Sequence, residues 1–205
     1  MNKYLYYIKQ LGLRNILLGF IKKTKLNKLH AKYHFDKWHL YPHEHREYAL
    51  WIIDHINKVI IPNNKYINSA VEIGCGLGEI ISNLNIPTKV GYDIYDNVIT
   101  AAQDLNSQKK TSFIVGSFDS ITNQTIDILI VVNFTAMISP LVLTEHYSKL
   151  LSSNTIERII VECVDDKEYP YLHNYKDMFP DNYKLEIKSK IFPPVKRWLE
   201  IYKRT

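Results

Sequence analysis

The chain is poor in the residues that mark specialised protein classes. Two cysteines, Cys75 and Cys163, are too few for a disulfide framework in 205 residues. Seven glycines, eight prolines and no internal repeat exclude collagenous, low-complexity and solenoid architectures. No uncharged apolar run approaches the roughly 18–20 residues of a membrane-spanning helix. The N-terminal apolar stretches are short and broken by Lys9 and Arg14, which fits no cleavable signal and leads to the expectation of a cytoplasmic protein. Acid is missing from one end: before Asp36 there are eight basic residues and no Asp or Glu, so residues 1–35 carry +8. The remainder holds 18 basic and 21 acidic residues, a net −3, so any basic surface belongs to the N-terminal segment.

With 46% hydrophobic and 23% charged residues, the chain has the makeup of one ordinary globular domain with an appendage. From Tyr4 to Ile21 apolar residues recur at roughly helical spacing between lysines, weakened by Gly12 and Gly19. Pro42 at a first helical position, Glu44 in the first turn and an apolar face from Ala49 to Ile60 predict a second helix from Pro42 to Ile60, ended by Pro62. Short β-branched runs then alternate with helical stretches, the pattern of a parallel sheet with crossover helices. Strands are expected at Ile67 to Ile73, Lys89 to Ile94, Ser112 to Gly116, Ile126 to Asn133, Arg158 to Val164, Leu185 to Phe192 and Trp198 to Lys203. Helices are expected at Glu79 to Leu84, Asn97 to Asn106 and Pro140 to Leu151, the last capped by Ser139. The connection between the last two strands is too short for a parallel crossover, so they must pair antiparallel. The expected fold is α/β and Rossmann-like: a seven-stranded mixed sheet of five parallel strands plus a C-terminal antiparallel pair. Residues 1–62 form an N-terminal helical extension and acceptor lid, and residues 63–205 the core.

The sharpest signal is Glu72-Ile73-Gly74-Cys75-Gly76-Leu77-Gly78-Glu79, at the end of the first strand and leading towards a helix. Glycines at this spacing let a ligand approach the backbone where the chain bends sharply. The spacing is GxGxG rather than the GxGxxG of nicotinamide enzymes. Nineteen residues after Gly74, Asp93 ends the second strand, where a carboxylate can accept hydrogen bonds from both ribose hydroxyls.

At these residues the chain resembles the class I S-adenosylmethionine-dependent methyltransferases, over Tyr66 to Thr205 and including the closing antiparallel pair. The resemblance implies S-adenosylmethionine as cofactor. It places Gly74, Gly76 and Gly78 beneath the methionine part, with Glu72 anchoring that loop and reaching the amino group. Asp93 would hold the ribose, Ile94 the adenine face, and Ser117 and Phe118 the adenine edge, with Asp119 an alternative to Ser117. Asn133 would sit beside the transferring methyl group. Family members that methylate nucleobase or amide nitrogens carry Asn or Asp followed by Pro-Pro and an aromatic; Asn133-Phe134-Thr135-Ala136-Met137 departs from that, so oxygen is the expected acceptor atom.

Six of the eight histidines fall between His30 and His55. No cysteine accompanies them, and no metal is expected. Methylating a hydroxyl requires removal of its proton, and imidazole has the ordinary titration range for that task. His173, in the Tyr/His-rich stretch after the fifth strand, is the first expected base and His39, in the segment Phe35 to His43, the second. The basic helix, the Trp-His segment and the Tyr/His loop look similar to methyltransferases of bacterial surface-polysaccharide sugars, which implies a small-molecule or glycan acceptor. Residues 1–35 could touch the inner face of an anionic membrane. Competing readings are an RNA or protein methyltransferase gripping through the basic helix, although nucleic acid is not the expected partner, and a non-catalytic cofactor-binding module. The sequence leaves the oligomeric state open.

Overall fold

The computed structural model describes residues 11–64 and 66–205. The expected basic segment from Tyr4 therefore lies partly outside the described residues. Its described part begins at Leu11, and Gly12, with φ of 76°, breaks the chain direction before helix α1, Leu13–Tyr33. The helix extends well beyond the expected end at Ile21. The reason is tertiary: Leu26 and Leu29 pack with Phe35, Leu77, Val98 and Ala101, and Lys32 and Tyr33 both reach the Asp104 carboxylate, at 3.0 and 2.8 Å. Gly19 is no weak point, because a Cβ there would sit 2.1 Å from the His45 ring. His45 Nε2 lies 3.1 Å from the Ile16 carbonyl oxygen in that gap.

The second helix starts later than expected. Pro42 is extended, with ψ 147°, and His43–His45 form a separate turn before α2, Glu47–His55. That turn is set by its partners, His43 on Lys22 and Glu79, His45 on α1. A π turn over Ile56–Ile60 carries the helix on through Ile61–Asn63, Pro62 included.

The sheet comprises β1 Ser69–Ile73, β2 Thr88–Asp93, β3 Ser112–Val115, β4 Thr125–Val131, β5 Thr155–Val164, β6 Tyr183–Lys188 and β7 Arg197–Arg204. Its order is β3-β2-β1-β4-β5-β7-β6, with β7 antiparallel to both neighbours. This is the expected mixed sheet, five parallel strands closed by an antiparallel pair. The crossover helices are α3, Asp96–Leu105, and α4, Pro140–Ser153, the latter capped by Ser139 accepting from the Val142 N–H. The helix expected over Glu79 to Leu84 is only a 3₁₀ turn, Ile81–Asn83. A short helix, α5, Tyr175–Met178, follows β5.

Neighbouring residues along β4 and Val132 just past it face opposite cores. Ile128, Ile130 and Val132 join α2, Ile80 and Leu199, whereas Leu129 and Val131 join Leu143, Tyr147 and Leu150 of α4. Burial on both faces is what a central parallel strand with covering helices requires, and it explains the unbroken apolar run. None of the helices among the described residues is long and apolar enough to cross a membrane.

Candidate functional site

The carboxyl ends of β1, β2 and β4 and the start of β7 open on one cavity of about 850 Å³. This is the edge where open α/β sheets bind ligands, and the volume lies in the range of ligand pockets.

Its β1 side is made mostly of backbone. Gly74, Gly76 and Gly78 all have positive φ, 68°, 53° and 68°, a region side chains rarely enter. A Cβ on Gly74 would meet the Phe134 ring at 2.5 Å, and one on Gly76 would meet His39 Nδ1 at 2.8 Å. Gly78 does different work: it does not line the cavity, and its missing side chain makes room for the Phe113 ring of β3. The turn is pinned by Asp93, whose Oδ2 accepts from the Gly76 N–H at 2.9 Å and whose Oδ1 accepts from Tyr95 N–H at 3.2 Å. A carboxylate so fixed keeps further lone pairs free to accept hydroxyl donors.

Glu72 accepts from the Ile81 N–H at 3.0 Å. Burial pushes its carboxyl up to about 8, a rise that the Ile81 hydrogen bond and the Arg46 charge only partly offset. The exposed Ile94 side chain, Ser117 and the buried Phe118 form the β2–β3 side of the lining. Ser117 caps the turn Phe118–Ser120, and Phe118 stacks on His146, 4.9 Å between ring centres. His146, which helical position alone would make structural, therefore also borders the cavity.

Asn133 lies just past β4 with φ 80°, a left-handed conformation that costs about 1–3 kcal/mol away from glycine and recurs at functional sites. Its side-chain oxygen accepts a short hydrogen bond from the Tyr48 hydroxyl. Tyr48 in turn lies within reach of two arginines: Arg46 Nη1 is 3.4 Å from its hydroxyl, and the Arg197 guanidinium lies 4.4 Å from its ring centre. None of Arg46, Tyr48 and Arg197 was signalled by a motif. Arg197 opens β7, and because β7 is antiparallel, its first residue pairs with Val164, the last of β5, at the ligand-binding edge.

The N-terminal helical segment is fastened through Glu79. This buried carboxylate is 2.7 Å from Lys22 Nζ of α1 and 2.8 Å from Arg46 Nη2. Burial alone would push its carboxyl up, but the His43 hydrogen bond and the Arg46 and Lys22 charges outweigh that and hold it well below the usual range. His43, Glu44 and Glu79 come close enough to hold a metal ion, but Lys22 Nζ already sits 2.8 Å from His43 Nδ1, 2.7 Å from Glu79 and 3.5 Å from Glu44. An ammonium thus occupies the position a metal would need.

The two histidines expected as bases part company. His39 lines the cavity above Gly76, and burial lowers its pKa against the opposing pull of Asp93, which favours the neutral ring. His173 does not reach the cavity: it is buried, with Nε2 2.8 Å from the Thr135 carbonyl oxygen, and ties the loop after β5 to the turn after β4. Sequence placed it on the right edge of the sheet but could not give its rotamer. Both cysteines are buried with their thiol pKa values raised, chiefly by burial, which fits inert packing groups.

No family model matches the chain, and no curated protein matches its sequence. Solved structures do match. The magnesium protoporphyrin IX methyltransferase ChlM of Synechocystis PCC 6803, with bound SAM, superposes with a TM-score of 0.66 over 93% of this chain and 97% of that one, at 12% identity. The N-methyltransferase NodS of Bradyrhizobium japonicum WM9, in complex with S-adenosyl-L-homocysteine, gives 0.64 over 78% and 87%, at 10% identity. The small RNA methyltransferase HEN1 gives 0.60 over 78% of this chain and 25% of that one, at 15% identity. With its strand order and the cavity at its carboxyl edge, this chain has the class I S-adenosylmethionine-dependent methyltransferase fold.

Proposed function

We propose that the chain binds S-adenosylmethionine along Gly74–Gly76, Asp93, Ile94, Ser117 and Phe118, and methylates an oxygen of a small polar acceptor such as a sugar or glycan precursor. The observation that carries this is the joining, in one cavity, of a positive-φ glycine turn pinned by Asp93 with the strained Asn133 and its Tyr48 partner. The residues fit the cofactor: a backbone cradle that a Cβ would obstruct, and a carboxylate at the strand end for the ribose. The bound cofactor supplies an electrophilic methyl group on sulfur.

The chain's own task is to orient the acceptor, exclude water and take up a proton. His39, neutral and partly buried, is the group we assign to proton removal. Tyr48 and Asn133 hold the acceptor side rigid, because the hydrogen bond between them fixes both rotamers. His173 acts through position, holding the Thr135 turn beside Asn133. The aromatic walls Trp38, Tyr41 and Tyr169 suit the faces of a sugar ring.

A second reading concerns α1. Leu13, Leu17, Leu18, Phe20 and Ile21 are exposed beside Arg14, Lys23, Lys25 and Lys28, an apolar and cationic surface that favours peripheral contact with an anionic membrane. Each lysine near such a surface adds about 1 kcal/mol. Vesicles containing phosphatidylserine should retain the full chain, and a chain lacking residues 1–30 should not be retained. Equal retention on neutral phosphatidylcholine vesicles would remove the electrostatic part of this reading.

The primary test is titration with S-adenosylhomocysteine, NAD serving as control. Ligand at about a hundred times its Kd should stabilise the fold by about 2.7 kcal/mol, raising Tm by roughly 5–10 °C. A response to NAD alone would overturn the assignment, and a response to neither would favour the non-catalytic module.

A further inference from the structure

The β5–β7 side of the cavity carries two guanidinium groups that the reading above leaves without a task. Arg46 precedes α2, Arg197 opens β7, and the ring of Tyr48 lies near both, with guanidinium carbons 6.0 and 4.4 Å from its centre. Both arginines line the main cavity, and both also wall a smaller one of about 140 Å³ shared with Tyr41 and Tyr48. They stand where the two spaces meet.

Neither cation is fully answered by the protein. Arg46 donates from Nη2 to Glu79, but that single carboxylate also serves Lys22, and Arg46 Nε is buried with no acceptor. Arg197 Nε lies 3.3 Å from Glu162 Oε2, yet both atoms are buried without a hydrogen bond, so the pair is electrostatic and poorly aligned. Burial raises the Glu162 carboxyl, and the Arg197 charge opposes that rise. The carboxylates that line the cavity, Asp36, Glu72, Glu79 and Asp93, belong to the turn after α1 and to the β1–β2 side. Keeping buried guanidinium donors incompletely paired costs stability. An oxyanion that presents two oxygens on one atom repays it, because it accepts two parallel N–H bonds from one fork.

We infer that the acceptor bears a carboxylate or phosphate, and that Arg197, with Arg46 on the same wall, receives it. The anion on the arginine side would leave the nucleophilic part of the acceptor directed towards Asn133, so the pair sets orientation as well as affinity. This inference rests on the methyltransferase reading and narrows its acceptor class to anionic small molecules.

The full chain saturated with S-adenosylhomocysteine should be titrated by calorimetry with two matched pairs, benzoate against benzamide and glucose 1-phosphate against glucose. At least one anion should bind saturably where its neutral partner does not, and the pair that does so separates a carboxylate from a phosphate. Arg197→Gln should weaken that anion about tenfold or more, while S-adenosylhomocysteine affinity, which reports folding, stays within about twofold of the parent; Arg197→Lys should fall between. Anion binding no better than that of the neutral partners, or undiminished in Arg197→Gln, overturns the inference alone. Failure of the parent protein to bind S-adenosylhomocysteine overturns the methyltransferase reading and this inference with it.

Discussion

The two sides of the cavity are built by different means. The β1–β2 side comes from a short stretch of chain, Glu72 to Asp93, and its contacts are largely backbone: the positive-φ Gly74 and Gly76 and a carboxylate accepting main-chain N–H groups. The other side gathers Arg46 and Tyr48, Asn133, Tyr169 and Arg197 from four separate segments, and its contacts are between side chains. A backbone cradle constrains sequence tightly, since most substitutions meet a ring or a forbidden φ. A side-chain wall can be rebuilt residue by residue without disturbing the sheet. The first suits a ligand that does not change, the second a ligand that does.

Glu79 joins the two sides, so its loss should have the largest effect. Glu79→Ala removes the only carboxylate bonded to Arg46 among the described residues and leaves Lys22 and His43 without their buried partner, at an expected cost of about 3–5 kcal/mol. Chemical denaturation measures the loss, and hydrogen exchange should show α1 and the His43–His45 turn opening ahead of the sheet. An α1 that stays protected would mean the helix is held by Leu26 and Leu29 and by the Lys32 and Tyr33 bonds to Asp104. The same carboxylate sets the acid limb: its folded pKa lies below its unfolded value, so its stabilisation is complete above about pH 4–5 and is lost as pH falls through the folded pKa.

Asp93→Ala probes the backbone side alone. Removing a charged acceptor should weaken S-adenosylhomocysteine by about 1.5–3 kcal/mol, roughly 10- to 150-fold, read by calorimetry. Tyr48→Phe is the matching change on the other side. It deletes the hydrogen bond to Asn133, costs about 0.5–1.5 kcal/mol of stability, and should lower kcat with S-adenosylhomocysteine affinity unchanged. If both variants weaken the cofactor product equally, the division between the two sides fails.

Glu72→Gln should move in the opposite direction. The carboxyl is pushed up to about 8 in the fold, so ionising it costs stability as pH rises from its unfolded value near 4.5 towards 8. The amide still accepts from Ile81 N–H, so the variant should be more stable than the parent at pH 7–8 and indistinguishable from it near pH 4, in thermal melts. His39→Gln should remove the acid limb of kcat/KM, which in the parent falls below the ordinary histidine range because burial lowers that pKa. An unchanged profile would move proton removal to another group.

By itself the sequence determined the order of strands and helices, the antiparallel closing pair and the glycine turn with its acidic strand end. These rest on periodicity and on spacing within tens of residues, which local chemistry controls: β-branched runs pack on a pleated sheet, and only glycine accepts a positive φ cheaply beside a ring. The length of α1 was not legible, because Leu26 and Leu29 are held by α3 and Leu77, far away in sequence. Nor was the start of α2, where pairing of His43 with Glu79 and seating of His45 on Gly19 override the signal of Pro42. Which histidine faces the cavity depended on one rotamer, and the bond from His173 to the Thr135 carbonyl turned it away. Arg197 was invisible for a topological reason. Only when β7 runs back between β5 and β6 does the start of a strand, rather than its end, arrive beside Tyr48 at the open edge of the sheet.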